Sequence, residues 1–317
     1  MKKFLHLGAA LFIAVSALQA SAQNDNAVSS RYFLEYKDAP SSLRILPPPP
    51  ADSTARFAYD REQYEWGKSL RDTPRGRQAV ADANLDPASG WADTAFSEAF
   101  GMSITPQNTP AIAALVYKLQ EDAGDLATRE AKQHYMRTRP FVYWNEPTAT
   151  PGDEDALRRN GSYPSGHTAI GWATALVLAE INPARATEIL KRGFEFGQSR
   201  VIVGAHYQSD VDAGRVVGAG IVPVLHNNPE FMKALAAAKA EFAAKSGKAA
   251  CCRKAPCGKT DCERTECKKT ECKKTECKRT ECKKTECKRT ECKKTECKKA
   301  PPARRKNIAD NTSAHPK

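Results

Sequence analysis

Apolar residues along this chain return at helical spacing, and no stretch alternates apolar with polar residues between hairpin turns. A core built this way has to be made of packed helices. Thr109-Pro110 is a cap and first-turn pair, and behind it Ile112, Leu115, Val116 and Leu119 fall at i, i+3, i+4 and i+7. Asp52-Ser53-Thr54 can cap a helix that carries Phe57, Tyr64, Trp66 and Leu70 towards Arg71. Further helices are expected over 125–138, 165–180 and 183–196. The last helix starts at Asn228-Pro229 and repeats Phe231, Leu235, Ala238 and Phe242 on one stripe. The pattern predicts an all-α chain: a single globular helical bundle over residues 23–246, its packed part ending near Ala244. Residues 23–45 are expected to cover the surface of that bundle. Pro47 to Pro50 should run across it as a stiff polyproline segment.

Both ends differ from the middle. Residues 1–22 open with Lys2 and Lys3, run apolar from Phe4 to Leu18, and close on Ala20-Ser21-Ala22, the pattern of a secretory signal peptide cut before Gln23. No later stretch approaches the roughly 20 apolar residues of a membrane span; Val216 to Leu225 is the most apolar and is too short. The mature chain is therefore expected to be exported and soluble: periplasmic, secreted or envelope-associated. Through Gly247 there are 26 Lys+Arg against 27 Asp+Glu, whereas residues 248–317 hold 23 against 10, so the whole net charge of +12 resides in the tail. All 11 cysteines lie there too, and from Cys252 to Cys297 one falls every fifth residue in units such as Thr-Glu-Cys-Lys-Lys. A five-residue step forms no apolar seam on a helix and alternates faces on a strand, so residues 247–317 read as a disordered low-complexity tail. Tethering to an anionic envelope surface or polymer, thiolate metal binding and disulfide cross-linking are the roles its chemistry allows. The globular part needs no disulfide, since about 225 residues can bury an adequate core.

Three stretches carry chemistry. In Ser199 to Asp210, His206 and Asp210 are four apart, so on a helix they share a face. A carboxylate there can take the proton of one imidazole nitrogen and leave the other as a nucleophilic lone pair. Gly204 offers a break that folds Arg200 back over the same spot. In Lys132 to Pro140, Lys132 and Arg139 are seven apart, close to eclipsed on a helix, and Pro140 disfavours helix at Arg139. With Arg137 beside them, the same stretch also reads as a solvated basic face. In Tyr163 to Thr168, a proline turn opens onto an apolar helix, whose N-terminus presents the Ser165 hydroxyl and the N–H groups of Gly166 and His167 to an anion. His167 sits at the positive end of the helix dipole, which makes it a stronger acid. The alternative is a plain Ser165 cap and a surface histidine.

In order, the blocks spell Lys-x6-Arg-Pro, Pro-Ser-Gly-His and Ser-Arg-x5-His-x3-Asp. Together they resemble the three-part motif of the type 2 phosphatidic acid phosphatase (PAP2) superfamily, which also contains the vanadium haloperoxidases. The flanking Gly-Ser-Tyr-Pro-Ser-Gly-His-Thr and Gly-Ala-His-Tyr-Gln-Ser-Asp-Val and the Leu-Pro-Pro-Pro-Pro lead-in resemble bacterial class A nonspecific acid phosphatases over residues 40–240. The resemblance implies that Lys132, Arg139, Arg200, Ser165 and Gly166 hold the phosphoryl oxygens. It further implies that His206 attacks phosphorus, that Asp210 orients it and that His167 protonates the leaving alkoxide. It also implies small-molecule phosphomonoesters as substrates, broad specificity, no metal cofactor, an acid optimum and a homo-oligomer. The competing readings are a vanadium-dependent haloperoxidase built on the same cage and a surface-binding protein that acts through its tail.

Overall fold

The computed structural model describes residues 31–254, with side chains through Gly247. The expected signal peptide and the repeat tail lie outside the described residues. Among the described residues every regular element is helical. The longer helices are α1 (Ala55–Ser69), α2 (Pro74–Ala81), α3 (Trp91–Phe100), α4 (Pro110–Glu121), α5 (Arg129–Tyr135), α6 (Gly166–Ile181), α7 (Ala186–Ile202), α8 (Gln208–Leu225) and α9 (Pro229–Lys254), and short helical segments such as Ser42–Ile45, Pro140–Tyr143 and Glu154–Arg158 lie in the connections. This is the expected all-α bundle.

Local chemistry sets most boundaries. Thr54, Thr73 and Ser165 each accept a backbone N–H of their own first turn, and Asn228 accepts the Phe231 N–H at the start of α9. Gly90 and Gly101 bracket α3 in the left-handed region. Helix α6 lies at the centre, packed on both α7 and α8. It has no polar face to spare: Ala169, Ile170, Ala173, Val177 and Leu178 are all buried, as are Thr168 and Thr174. Each fully buried Ile or Leu of this kind contributes about 1.5–3 kcal/mol by leaving water, so the helix is fixed in depth and rotation. The predicted stripes on α4 and α9 face the same core.

Four local expectations need correction. The helix expected over 125–138 is shorter, because α4 runs into a π turn (Asp122–Leu126) and α5 stops where Met136 turns left-handed at φ 40°. The helix expected over 183–196 begins as a 3-10 turn and continues six residues further, to Ile202. Trp66, expected to make an apolar contact, is 43% exposed. Residues 31–46 do more than cover the surface. Phe33 and Leu34 enter the core and their N–H groups donate to the Asp122 carboxylate at 3.0 and 2.9 Å.

Candidate active site

The α7–α8 connection is a tight reversal. Gly204, at φ 83°, follows the helix end, its N–H donates to Val201 O and the Ala205 N–H donates to Arg200 O, both at 3.0 Å. This is the paired-bond ending that a left-handed glycine permits. The His206 N–H also reaches Arg200 O, at 3.2 Å, so six residues of sequence separation collapse to adjacency as the glycine break predicted. His206 and Asp210 do meet, but not as two residues on one helical face. Tyr207 is extended (ψ 159°) and caps α8, so His206 lies before the helix while Asp210, in its first turn, turns back to accept the Tyr207 N–H at 3.0 Å.

The contacts of His206 define its tautomer. Arg139 Nη1 lies 3.0 Å from His206 Nε2. A guanidinium only donates, so Nε2 carries the lone pair and Nδ1 carries the proton. Nδ1 lies 3.3 Å from Asp210 Oδ2 and 3.3 Å from Ser162 Oγ, while the Ser162 hydroxyl itself donates to Asp210 Oδ2 at 2.5 Å. Burial first, and then the Arg139 charge, hold His206 well below the usual histidine range, so it is neutral. For Asp210, burial works to raise the carboxyl, but Arg137 and the hydrogen bonds from His206 and Ser162 outweigh it and hold it below the usual carboxylate range.

Arg137, which the sequence left on a solvated basic face, is the partner that anchors Asp210. Its Nη1 donates to Asp210 Oδ1 at 2.6 Å and to Ser209 Oγ at 2.8 Å, and its Nη2 donates to Asp60 Oδ2 at 2.9 Å. Asp60, from α1 and 1% exposed, also accepts the Ser209 N–H at 2.7 Å. The chain Asp60–Arg137–Asp210–His206 thus reaches from α1 to the imidazole. Sequence spacing shows none of the Asp60 link, because the two partners are 77 residues apart.

Lys132 and Arg139 converge from different kinds of backbone. Lys132 is on α5, whereas Arg139 is extended (ψ 153°) ahead of Pro140, as a residue before proline prefers. They meet at one carbonyl: Lys132 Nζ donates to Gly161 O at 2.8 Å, and Arg139 Nη2 lies 3.5 Å from it. Arg139 Nε donates to Leu157 O at 2.8 Å, which fixes the plane of the guanidinium. Burial and then Arg139 push the Lys132 ammonium down to about 7. Gly166 opens α6 beside this ammonium, and a Cβ at that position would stand 3.1 Å from Gly124 O and 3.8 Å from Lys132 Cε. The Ser165 hydroxyl accepts from Thr168 N at 3.3 Å and from Thr168 Oγ1 at 2.9 Å, so its own proton remains available to a further acceptor.

Arg200 is the most exacting member. Its side chain is 1% exposed, and both Nε and Nη1 are buried without a hydrogen-bond partner. Burying two cationic N–H groups this way is costly unless an anion completes them. Burial and then Arg139 bring Arg200 down to about 10, which leaves it charged at any ordinary pH. His167 Nε2 lies 2.9 Å from Ala83 O, and burial followed by Arg200 lowers it well below the usual histidine range. Arg137 is outweighed by its two aspartates, so that this trio is net negative. Among the described residues, Lys132, Arg139 and Arg200 pair with no carboxylate. With Asp60, Arg137 and Asp210 counted, the site keeps a net of two positive charges around a neutral imidazole whose Nε2 lone pair faces Arg139, which fits a small oxyanion of charge −2. The eight residues singled out from the sequence lie around one spot; Asp60 was not among them, while Arg137, Gly161 and Ser162 read only as part of a basic face and of the motif's flank.

Residues 111–231 match the PAP2 superfamily. The chain is 52% identical over 246 residues to the non-specific acid phosphatase of Providencia stuartii, covering 77% of this chain and 98% of that protein. It is 43% identical over 238 residues to the non-specific acid phosphatase of Salmonella typhimurium, covering 75% and 90%, and 38% identical over 200 residues to the acid phosphatase of Zymomonas mobilis, covering 63% and 74%. The chain belongs to the PAP2 superfamily, alongside these bacterial non-specific acid phosphatases. No helix among the described residues is long and apolar enough to cross a membrane.

Proposed function

We propose that this protein is an exported, metal-independent acid phosphatase that hydrolyses phosphate monoesters of many alcohols through a phosphohistidine on His206. The observation that carries this reading is the buried, unpartnered Nε and Nη1 of Arg200 beside Lys132 and Arg139, all grouped around a neutral His206. In the reaction, Lys132, Arg139 and Arg200 with Ser165 and the Gly166 N–H hold the three non-bridging oxygens and neutralise the charge that phosphoryl transfer spreads over them. Arg139 exchanges its contact with Nε2 for a phosphoryl oxygen, which frees the lone pair. Nε2 then attacks phosphorus, the phosphorus–alkoxide bond breaks and Nε2–P forms. Asp210 keeps the Nδ1 proton and stabilises the cationic ring. His167 gives the departing alkoxide a proton. Once neutral, it takes a proton from water, whose oxygen bonds to phosphorus as Nε2–P breaks. The dianion counters Arg200 next to His167, so substrate binding itself favours the protonated acid.

The relatives' names support phosphomonoester hydrolysis over vanadate-dependent halide oxidation. Three cationic side chains supply the charge that metal ions give other phosphatases, which supports chelator resistance. The cage reads the phosphate and nothing of the alcohol, which supports broad specificity. Residues 1–22 support export, with 23–246 as the enzyme and 247–317 as a basic tail that holds it to anionic envelope polymers; a homo-oligomer is part of the same reading. The test is hydrolysis of p-nitrophenyl phosphate by the mature chain across pH 4 to 9 with chelator present. Turnover with an acid optimum, lost in His206→Ala, is expected. Bromide oxidation dependent on vanadate, without hydrolysis, would overturn it. Release from the cell envelope on truncation at Ser246 tests the tail.

A further inference from the structure

A second buried polar cluster lies behind the cage, and no step above uses it. Asp82 ends α2 with its side chain 2% exposed. One carboxylate oxygen is held by Arg192 of α7, and the other accepts the Ser199 hydroxyl at 2.5 Å. Arg192 Nε continues to Ala95 O of α3 at 2.8 Å, and Arg75 of α2 donates to Ser199 Oγ at 3.0 Å and to Glu195 O at 2.7 Å. One carboxylate therefore ties the end of α2 to α7 and, through Arg192, to α3. Ala83, the next residue, supplies the carbonyl that faces His167 Nε2 at 2.9 Å, and Ser199 directly precedes Arg200.

For His167 the consequence is tautomeric. A carbonyl only accepts, so Nε2 must carry a proton whether the ring is neutral or charged. Proton exchange is then confined to Nδ1. In the other neutral tautomer the Nε2 lone pair would face the Ala83 oxygen, and Nδ1 would hold its proton when the return step needs a base. We propose that Asp82 is a positioning residue: by anchoring the end of α2 it holds the Ala83 carbonyl on Nε2 and commits Nδ1 of His167 to proton transfer with the leaving oxygen. This rests on the reading of His167 as the acid–base group. Without the Asp82 carboxylate, the Ala83 carbonyl is placed by helix-end backbone bonds alone, Asp82 N to Gln78 O at 2.9 Å, Ala83 N to Val80 O at 3.1 Å and Asn84 N to Ala81 O at 3.3 Å, none of which reaches α7 or α3.

The test compares the mature wild-type protein with Asp82→Asn and with Ser199→Ala, the milder variant that removes one anchor and keeps the Arg192 pair. Nitrogen-15 NMR of the histidine rings reads the tautomer directly. Wild type should show His167 protonated at Nε2, and Asp82→Asn a mixture. Turnover of an alkyl phosphate, whose leaving group needs a proton, should fall by about tenfold or more in Asp82→Asn, while p-nitrophenyl phosphate changes by about threefold or less. Ser199→Ala should move both readouts in the same direction by less. A wild-type tautomer and leaving-group ratio in Asp82→Asn, or in Ser199→Ala if the first does not fold, would overturn the proposal. An equal fall for both substrates would do the same. If His167 is not the acid–base group, His167→Ala depresses both substrates equally, while the wild-type protein still shows His167 protonated at Nε2.

Discussion

Lys132 gives the site a pH dependence of its own. Burial and the neighbouring Arg139 lower its ammonium to about 7 in the free enzyme. A bound dianion reverses the sign of that surrounding and keeps the lysine charged. Binding above pH 7 must then be accompanied by uptake of a proton, and the dissociation constant should rise as 1 + 10^(pH − 7), about twofold at pH 7 and about elevenfold at pH 8. Sulfate is the useful probe, because its own charge stays at −2 across this range. The assay is competitive inhibition of p-nitrophenyl phosphate hydrolysis by sulfate between pH 5.5 and 8.5. Calorimetry in two buffers of different ionisation enthalpy should show nearly one proton taken up per sulfate at pH 8. Lys132→Met should bind sulfate weakly and lose the alkaline step, while keeping any steeper dependence at lower pH from His167 and His206, both of which lie well below the usual histidine range. A sulfate constant that changes less than about twofold from pH 6 to 8 in wild type would show that Lys132 does not gain a proton on binding. So would an unchanged slope in Lys132→Met.

Three further outcomes are expected. Arg137→Met strips two buried carboxylates of their shared cation and should cost about 3–5 kcal/mol of stability in thermal or urea unfolding, with turnover falling as Asp210 loses its anchor; Arg137→Lys cannot reach both partners and should fall between. Burial raises the Asp122 carboxyl to about 6 against the hydrogen bonds from Phe33 and Leu34. Its stabilising contribution is therefore fully present below the unfolded value near 3.8 and is lost as pH rises through 6, about 3 kcal/mol in all. Wild type should lose stability relative to Asp122→Asn over that window, and a flat difference in unfolding free energy would contradict the assignment. Gly204→Ala forces a side chain into φ 83° with its Cβ 2.3 Å from Arg71 Nη2; a loss of about 1–2 kcal/mol is expected from the left-handed backbone alone, and turnover should drop further because His206 follows the same turn.

What the sequence disclosed and what it withheld follow from distance along the chain. The Arg200–Gly204–His206 turn, the Ser165 cap and the extended Arg139 before Pro140 are local devices, each written within a few residues. Their spacing was therefore readable. Arg137 was not, because its role is set by Asp60 on α1. The stripe on α4 was legible since all four apolar positions are buried, whereas α2, with Arg75 and Arg77 exposed to a polar reading, carries no such stripe and is held by tertiary contacts to α7. Phe33 and Leu34 looked like surface cover because the acceptor for their N–H groups, Asp122, lies 89 and 88 residues away. The overlong helix at 125–138 failed at Met136, a left-handed residue with neither glycine nor asparagine to announce it.

Phosphorylation of His206 at Nε2 can be trapped by rapid quenching. Wild-type enzyme mixed with excess phosphomonoester, stopped in base within milliseconds and digested for mass spectrometry, should yield an acid-labile, base-stable phosphoryl group on His206. Phosphorus-31 NMR of the denatured adduct should assign it to Nε2. His167→Ala, impaired in the return step, should accumulate more of it from an aryl phosphate. A phosphoryl group on another residue would exclude His206 as the nucleophile. So would turnover that inverts configuration at phosphorus with no phosphoenzyme, because that outcome requires water to attack directly.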